Sequence, residues 1–221
     1  GAAFATGLAP IISLLVLSLH FIKKKNKFNY VKTKLKKNYT FEILGIGLSS
    51  FITEVSSAIA LITFNLVILK ISGNLGVASY GIVANIALIG MSIFTGLAQG
   101  IQPLVSKGHG DKDGNLLNKV IKYALTTSLA LAVLIYLIVF LNSDNIVYIF
   151  NSEKIREISL IAKEGLIIYF IGFLFAGINI VISMYLSARE RAREAFGISI
   201  LRGCVVIVPL VIVLSNIFGM R

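Results

Sequence analysis

The sequence predicts an all-α integral membrane protein with six transmembrane helices, and composition and apolar run lengths carry this prediction. Hydrophobic residues make up 57% of the 221 positions, against about 45–50% in soluble domains. Charged residues make up only 14%, against about 25% in soluble domains. Several apolar stretches reach the roughly 20 residues that a helix needs to cross a bilayer. These features exclude a soluble enzyme, a nucleic-acid-binding domain and a disordered chain.

The six predicted spans are separated by segments that hold most of the breakers and charges, as expected at membrane surfaces. The second, third and fifth spans exceed the length of a perpendicular helix, which tilt accommodates. The approximate bounds of the spans are 4–22, 42–69, 76–104, 119–141, 158–186 and 197–219.

The distribution of the net charge of +11 predicts the orientation of the spans. Eight of the 21 basic residues lie between Lys23 and Lys37, with no acidic residue among them. Residues 107–122 and 189–202 each carry a further excess of two positive charges, whereas the alternate connections are close to neutral. Short cytoplasmic loops accumulate Lys and Arg. We therefore expect a multi-pass plasma-membrane protein whose Lys23–Lys37 loop is cytoplasmic, with lipid rather than nucleic acid as its partner.

Glu54, near the middle of the second span, is the outstanding polar residue at membrane depth. A charge at the bilayer centre costs on the order of 2.5–3.5 kcal/mol by insertion scales, and such residues normally serve ion or proton pathways. We interpret Glu54 as a candidate cation-coupling residue. The alternative is a protonated Glu that is hydrogen-bonded to a neighbouring helix.

Other polar residues fall on shared helical faces at 100° per residue. The face of Glu54 includes small and polar groups, the third span aligns Asn85, Ser92 and Gln99, and the fifth presents Asn179. We predict a substrate cavity lined by three helices, although close helix packing also explains single small residues. The predicted lining residues are Ser50, Ser57, Asn65, Asn85, Gln99 and Asn179. We predict no catalytic residue, cofactor or metal site, because the two His residues and single Cys are too scattered to form one.

Two long stretches of the chain resemble the multidrug and toxic compound extrusion (MATE) family. The stretch GIGLSSFITEVSSAIALITFNLVILKISGNLGVASYGIVANIALIGMSIFTGLAQGIQPLVSKGHG resembles the opening of that family's C-terminal lobe, and ISMYLSARERAREAFGISILRGCVVIVPLVIVLSNIFG resembles its tenth and eleventh helices. The most specific pieces are the Gln-Pro turn in AQGIQPL and the Arg202…Pro209 pair. The opening GAAFAT, with the run of lysines after the first span, is similar to the sixth helix and the inter-lobe loop.

The resemblance implies a twelve-helix, two-lobe transporter that exports cationic amphipathic molecules in exchange for Na⁺ or H⁺. On that plan residues 1–22 are the last helix of the N-terminal lobe, 23–38 a cytoplasmic linker, and 39–221 a C-terminal lobe without its final helix. We therefore expect a fragment whose partner is the missing N-terminal lobe. Transporters of this kind place their sites between such repeats.

The resemblance also implies a role for Glu54, which falls where some family members carry a coupling Glu on the seventh helix. Those members add an Asp on the tenth helix, where this chain reads Phe175-Ala176-Gly177-Ile178-Asn179 and has no acid. The sequence therefore leaves the coupling ion open.

Two alternatives to an exporter stay open from the sequence. One is a flippase of lipid-linked oligosaccharides from the same superfamily, which is expected to carry cationic side chains at depth. The other is a non-transporting membrane scaffold or accessory subunit, which would leave Glu54 with a packing role only.

Overall fold

The computed structural model of the protein describes residues 2–23, 37–151, 154–201 and 205–218, and every regular element in these ranges is helical. This confirms the predicted all-α class. Most of the Lys23–Lys37 segment, Arg202 and Cys204 lie outside the described residues. The chain divides into two compact units, residues 1–41 and 42–221. The helices are α1 (Ala2–Ile22), α2 (Lys37–Gly110), α3 (Gly114–Phe150), α4 (Arg156–Ile171), α5 (Phe173–Ala188), α6 (Ala192–Ile200) and α7 (Ile207–Phe218).

Helix α1 belongs to the first unit and carries an apolar stretch over Pro10–Leu19. Its large aliphatic side chains from Ile11 to Leu19 are exposed in this unit. A helix that is apolar on all sides suits burial in lipid rather than in water.

Helix α2 reverses direction at Gly73, where the backbone adopts φ 61° and ψ −156°. The rings of Phe64 and Tyr80 stack with their centroids 5.7 Å apart. In a straight helix the 16 positions between them would span about 24 Å. Residues 37–72 (α2a) and 74–110 (α2b) therefore fold back on each other, which separates the predicted second and third spans.

Helix α2b lies in the core of the second unit and packs against α3, α4 and α5. The ring of Phe94 lies 5.8 Å from that of Phe173, which stacks on Phe170 at 4.1 Å. The Ser79 hydroxyl donates to the Ile158 carbonyl at 3.3 Å and ties α2b to α4. The larger of two apolar clusters joins these helices, with buried members Ile82, Val83, Ile86, Ala87, Phe94, Ala132, Val139, Val147, Ile158, Ala162, Leu166, Phe170 and Phe173.

Glycine allows α5 to approach its neighbours closely. A Cβ at Gly177 would lie 2.5 Å from the Ser128 hydroxyl of α3 and 2.7 Å from the Phe94 ring of α2b. A Cβ at Gly90 would lie 2.4 Å from the Phe173 ring. Small residues at such points let membrane helices gain van der Waals contact, which replaces the hydrophobic effect between helices in lipid.

The observed helices differ from the predicted spans in α3 and in the pair α4 and α5. Helix α3 continues through the predicted span end to Phe150, because Ser143 and Val147 are buried and extend its packed face past a kink at Asn142. The predicted fifth span is two helices, α4 and α5, bent by 46°. Within the predicted sixth span, 197–219, the described residues include the end of α6 and all of α7.

By length and apolarity, the described residues contain two helices able to cross a membrane, Glu54–Gly110 and Gly114–Phe150, or three if α4 and α5 form one span. The expected total of six is thus met only in part. The predicted second and third spans both lie in α2, on either side of the reversal at Gly73, and so count as one helix here.

Replacing Gly73 with Ala should lower the thermal stability of the protein in detergent. The conformation at Gly73 is accessible almost only to glycine, and holding another residue there costs on the order of 1–3 kcal/mol. A Cβ at this position meets no atom within 4 Å, so the penalty comes from the backbone alone. Gly81→Ala, equally unobstructed on helical backbone, is the matched control. Equal melting temperatures for the two variants by circular dichroism would contradict the reversal.

Replacing Gly177 with Ala should destabilise the packing of α5 against α2b and α3. The new methyl group overlaps Ser128 and Phe94, and overpacking of this kind typically costs about 1–3 kcal/mol. Gly81→Ala again serves as the control. A Gly177→Ala variant that melts at or above the parent temperature would show that α5 does not approach so closely.

Candidate functional site

Glu54 lies on the side of α2a that faces away from the packed core. Ser56 and Ala60 are buried on this helix, with 7% and 8% of their surface exposed. Glu54 precedes Ser56 by two positions, about 200° around the helix, and is exposed. The predicted lining residue Ser50 has a side chain outside the described set.

The other predicted residues of α2a continue the face of Glu54 towards the reversal. Ser57 is exposed, and Asn65 is half-buried. The Asn65 side-chain amide donates to the Leu61 carbonyl at 2.9 Å. Glu54, Ser57 and Asn65 therefore run along one open side of α2a.

Helix α2b presents a second polar face opposite its packed side. Asn85, Ser92 and Gln99 are exposed, whereas Val83 and Phe94 on the other side are buried. The Asn85 amide donates to the Gly81 carbonyl at 2.9 Å, and the Ser92 hydroxyl donates to the Leu88 carbonyl at 2.8 Å. We call the described exposed or half-buried polar residues of these two faces the α2 polar strip: Glu54, Ser57, Asn65, Asn85, Ser92 and Gln99.

The α2 polar strip is rich in hydrogen-bond acceptors. Asn65, Asn85 and Ser92 each donate a side-chain hydrogen bond to a carbonyl of their own helix. Their side-chain oxygens can still accept hydrogen bonds. Glu54 adds a carboxyl group, which in its ionised form accepts hydrogen bonds and donates none. Oxygen ligands and one negative charge suit a cation better than an anion.

The reversal at Gly73 brings parts of the α2 polar strip to the same level. Glu54 lies 19 positions before Gly73, and Ser92 lies 19 positions after it. Equal helical rise from the reversal places both residues at the same depth, about 28 Å from it. The sequence pattern aligns Ser92 with Asn85 and Gln99, but only the reversal relates Ser92 to Glu54.

Asn179, the lining residue predicted on α5, lies on a different side of that helix from the residues nearest α2b, and its place in the cavity stays a prediction. Phe173 and Gly177 of α5 lie close to the Phe94 ring of α2b. Asn179 follows Gly177 by two positions and lies about 200° around the helix from it. It is half-buried on the side of α5 away from α2b. Among the side chains that the structure describes, no three His, Cys, Asp or Glu residues cluster as a metal site requires.

Comparison with known proteins places this arrangement in a family. Residues 49–213 match the MatE family. The chain is 26% identical over 229 residues to the multidrug export protein MepA of Staphylococcus saprophyticus and 27% identical over 222 residues to that of Staphylococcus haemolyticus. Both alignments cover all of this chain and 48% of the relative, so the chain spans about half the length of the curated relatives it matches.

Two solved structures share the fold. A MOP superfamily transporter from Pyrococcus furiosus superposes with a TM-score of 0.89 at 19% identity, and a MATE protein in complex with MaL6 with a TM-score of 0.87 at 20% identity. Each superposition covers the whole of this chain and 50% of the other. The family match covers well over half of the residues and confirms the resemblance seen in the sequence. The chain belongs to the MATE family, which consists of membrane transporters and not of enzymes.

Proposed function

We propose that this chain forms most of one lobe of an exporter that moves cationic amphipathic compounds out of the cytoplasm in exchange for Na⁺ or H⁺. The observation that carries the proposal is Glu54, which is exposed on α2a within the acceptor-rich α2 polar strip. The relatives named as multidrug export proteins support this substrate class. Residues 1–22, 23–38 and 39–221 then serve as the last helix of the other lobe, the linker and the C-terminal lobe.

The proposal includes six crossings of the plasma membrane, with Lys23–Lys37 on the cytoplasmic side. Because α2 folds back on itself at Gly73, its two arms can cross the membrane separately. Helix α3 supplies a third crossing, and the bent pair α4 and α5 supplies a fourth if it counts as one span. The orientation rests on the excess of basic residues in alternate connections.

The polar residues of α2 support a water-filled cavity along the α2 polar strip, although aliphatic side chains such as Leu61 and Leu88 are also exposed on this helix. Helix α3 exposes aliphatic side chains such as Leu134, Leu137 and Ile138, which suit contact with lipid chains. If the α2 polar strip faced lipid chains, the charged form of Glu54 alone would cost on the order of 2.5–3.5 kcal/mol. The strip is therefore expected to face water and the other lobe, where transporters with repeats hold their sites.

A single carboxylate at this level can exchange one cation for another. A proton, a sodium ion and an organic cation each neutralise the charge of Glu54, and they compete for it. Binding of the coupling ion from outside would thus release the organic cation, and binding of the organic cation from the cytoplasm would release the coupling ion. This competition is the minimal requirement for antiport.

The sign of the charge on the strip separates this proposal from its alternatives. The solved transporter from Pyrococcus furiosus is described as having a binding pocket of reverse polarity, which suggests a different function. A flippase for lipid-linked oligosaccharides is likewise expected to need cations at depth to hold a pyrophosphate. The described members of the α2 polar strip include one acid and no Lys or Arg, which favours a cationic substrate.

Replacing Glu54 with Gln should abolish ion-driven efflux of cationic dyes by the transporter that contains this lobe. Gln keeps the size and hydrogen-bonding capacity but removes the charge for which the cations compete. We expect efflux to fall about tenfold or more, because coupling free energies between ligands are typically about 1–3 kcal/mol. Dye efflux from proteoliposomes with an imposed ion gradient provides the measurement.

Two further variants sharpen this experiment. Glu54→Asp retains the charge one methylene shorter and should keep part of the activity. Glu164→Gln removes an equally exposed carboxylate from α4 and should transport like the parent. If Glu54→Gln moves cationic dyes at the parental rate at every pH tested, Glu54 is a packing residue and the proposed role is wrong.

A cysteine at Ser92 should react rapidly with a water-soluble thiol reagent if the strip lines a wet cavity. Reaction requires the thiolate, which forms in water and is suppressed in an apolar environment. Leu134→Cys on α3 is the matched control, because Leu134 is exposed but is expected to face lipid. Both variants carry Cys204→Ser, which removes the single native cysteine. Equal labelling rates at the two positions would contradict the cavity.

A further inference from the structure

Arg189 at the end of α5 is held in place by an aromatic ring. Its guanidinium carbon lies 5.4 Å from the centre of the Tyr185 ring, and its Nη1 donates to the Tyr185 hydroxyl at 3.3 Å. The side chain is half-buried. A guanidinium stacked on an aromatic ring loses less freedom when it binds a further group.

Arg189 has no acidic partner among the residues that the structure describes. The ion pairs in those ranges join Lys163 to Asp144 and Arg191 to Glu194. The Nε of Arg189 is buried and has no acceptor within hydrogen-bond distance in the described part of the chain. A buried donor without an acceptor is destabilising. A side chain that turned to donate Nε to an outside acceptor would relieve this.

The surroundings of Arg189 carry an excess of positive charge. Tyr185 belongs to the second apolar cluster, which brings it together with Val105 of α2b and Leu117 and Val120 of α3. This cluster joins the ends of three helices whose flanking residues, 107–122 and 189–194, hold seven Lys or Arg and four Asp or Glu. Two of the acids are engaged, because Asp113 accepts from the Leu116 backbone at 3.0 Å and Glu194 pairs with Arg191.

We propose that Arg189 binds the phosphate of an anionic phospholipid headgroup at this end of the bundle. The planar guanidinium can donate two parallel hydrogen bonds, from Nε and one Nη, to two phosphate oxygens. Both the predicted cytoplasmic position and the net positive charge match the anionic surface of the inner leaflet. The site is separate from the α2 polar strip, and the proposal does not depend on the exported substrate.

Lipid quenching of a single tryptophan tests this binding directly. The chain has no Trp, so Leu186→Trp, three positions before Arg189, gives one reporter without background. The protein is placed in nanodiscs of phosphatidylcholine that contain a small fraction of either dibrominated phosphatidylglycerol or dibrominated phosphatidylcholine. We expect the reporter to prefer the anionic lipid by about tenfold, the factor for one hydrogen bond to a charged group.

Variants decide whether Arg189 is responsible for the preference. Arg189→Gln in the reporter background should lose most of the preference for the anionic lipid, whereas Arg193→Gln, which removes an exposed cation of the same segment, should keep nearly the parental ratio. If Arg189→Gln fails to fold by circular dichroism, Arg189→Lys, which keeps the charge but lacks the fork, should give an intermediate ratio. An unchanged ratio in either Arg189 variant overturns the proposal. So does an equal loss in Arg193→Gln, which indicates surface charge alone, or a parent without preference.

Discussion

The backbone reversal at Gly73 is the constraint on which the rest of the second unit depends. It requires backbone angles of φ 61° and ψ −156° at Gly73, and residues with a Cβ almost never adopt this combination. The stacked rings of Phe64 and Tyr80 hold the two arms together beyond it. Without the reversal, residues 54–110 would form a rod of about 86 Å, nearly three times the thickness of the hydrocarbon layer. With it, Glu54 and Ser92 come to one level.

Helix α2b has to satisfy two environments on opposite sides, and its sequence does so by a regular division of residue types. One side packs Val83, Phe94 and Val105 into the core, and Gly90 receives the Phe173 ring. The other side carries Asn85, Ser92 and Gln99, with no packing partner in the core clusters. Because the packed side is so closely fitted, the helix has little freedom to rotate. The direction of the polar side is therefore fixed by the core on the other side.

Sequence reasoning identified the membrane class, the family and the polar faces of α2, because each depends on composition or on helical periodicity. Glu54 was predictable as a candidate residue, since a carboxylate in an apolar run is unusual wherever the helix packs, and its role stays a prediction. Asn179 shows the limit of this reasoning. Its depth could be read from the sequence, but the side of α5 that meets α2b is set by the close contacts of Gly177 and Phe173.

Helix ends were less predictable, because they also depend on packing against other helices. The kink at Asn142 coincides with the predicted end of a span, yet α3 continues because Ser143 and Val147 remain buried beyond it. The shared level of Glu54 and Ser92 depends on the backbone conformation of Gly73. No periodic sequence pattern predicts that conformation.

The distance between spin labels at positions 57 and 92 tests the reversal most directly. Both native serines are exposed, so labelled cysteines at these positions disturb the core little, and Cys204→Ser removes the native thiol. The folded-back arrangement predicts a pulsed electron resonance distance of about 10–25 Å, from a helix separation of about 8–10 Å plus the label linkers. A continuous helix over the 35 intervening positions would give about 52 Å. A distance near the longer value would contradict the shared level of Glu54 and Ser92, and with it the proposed site.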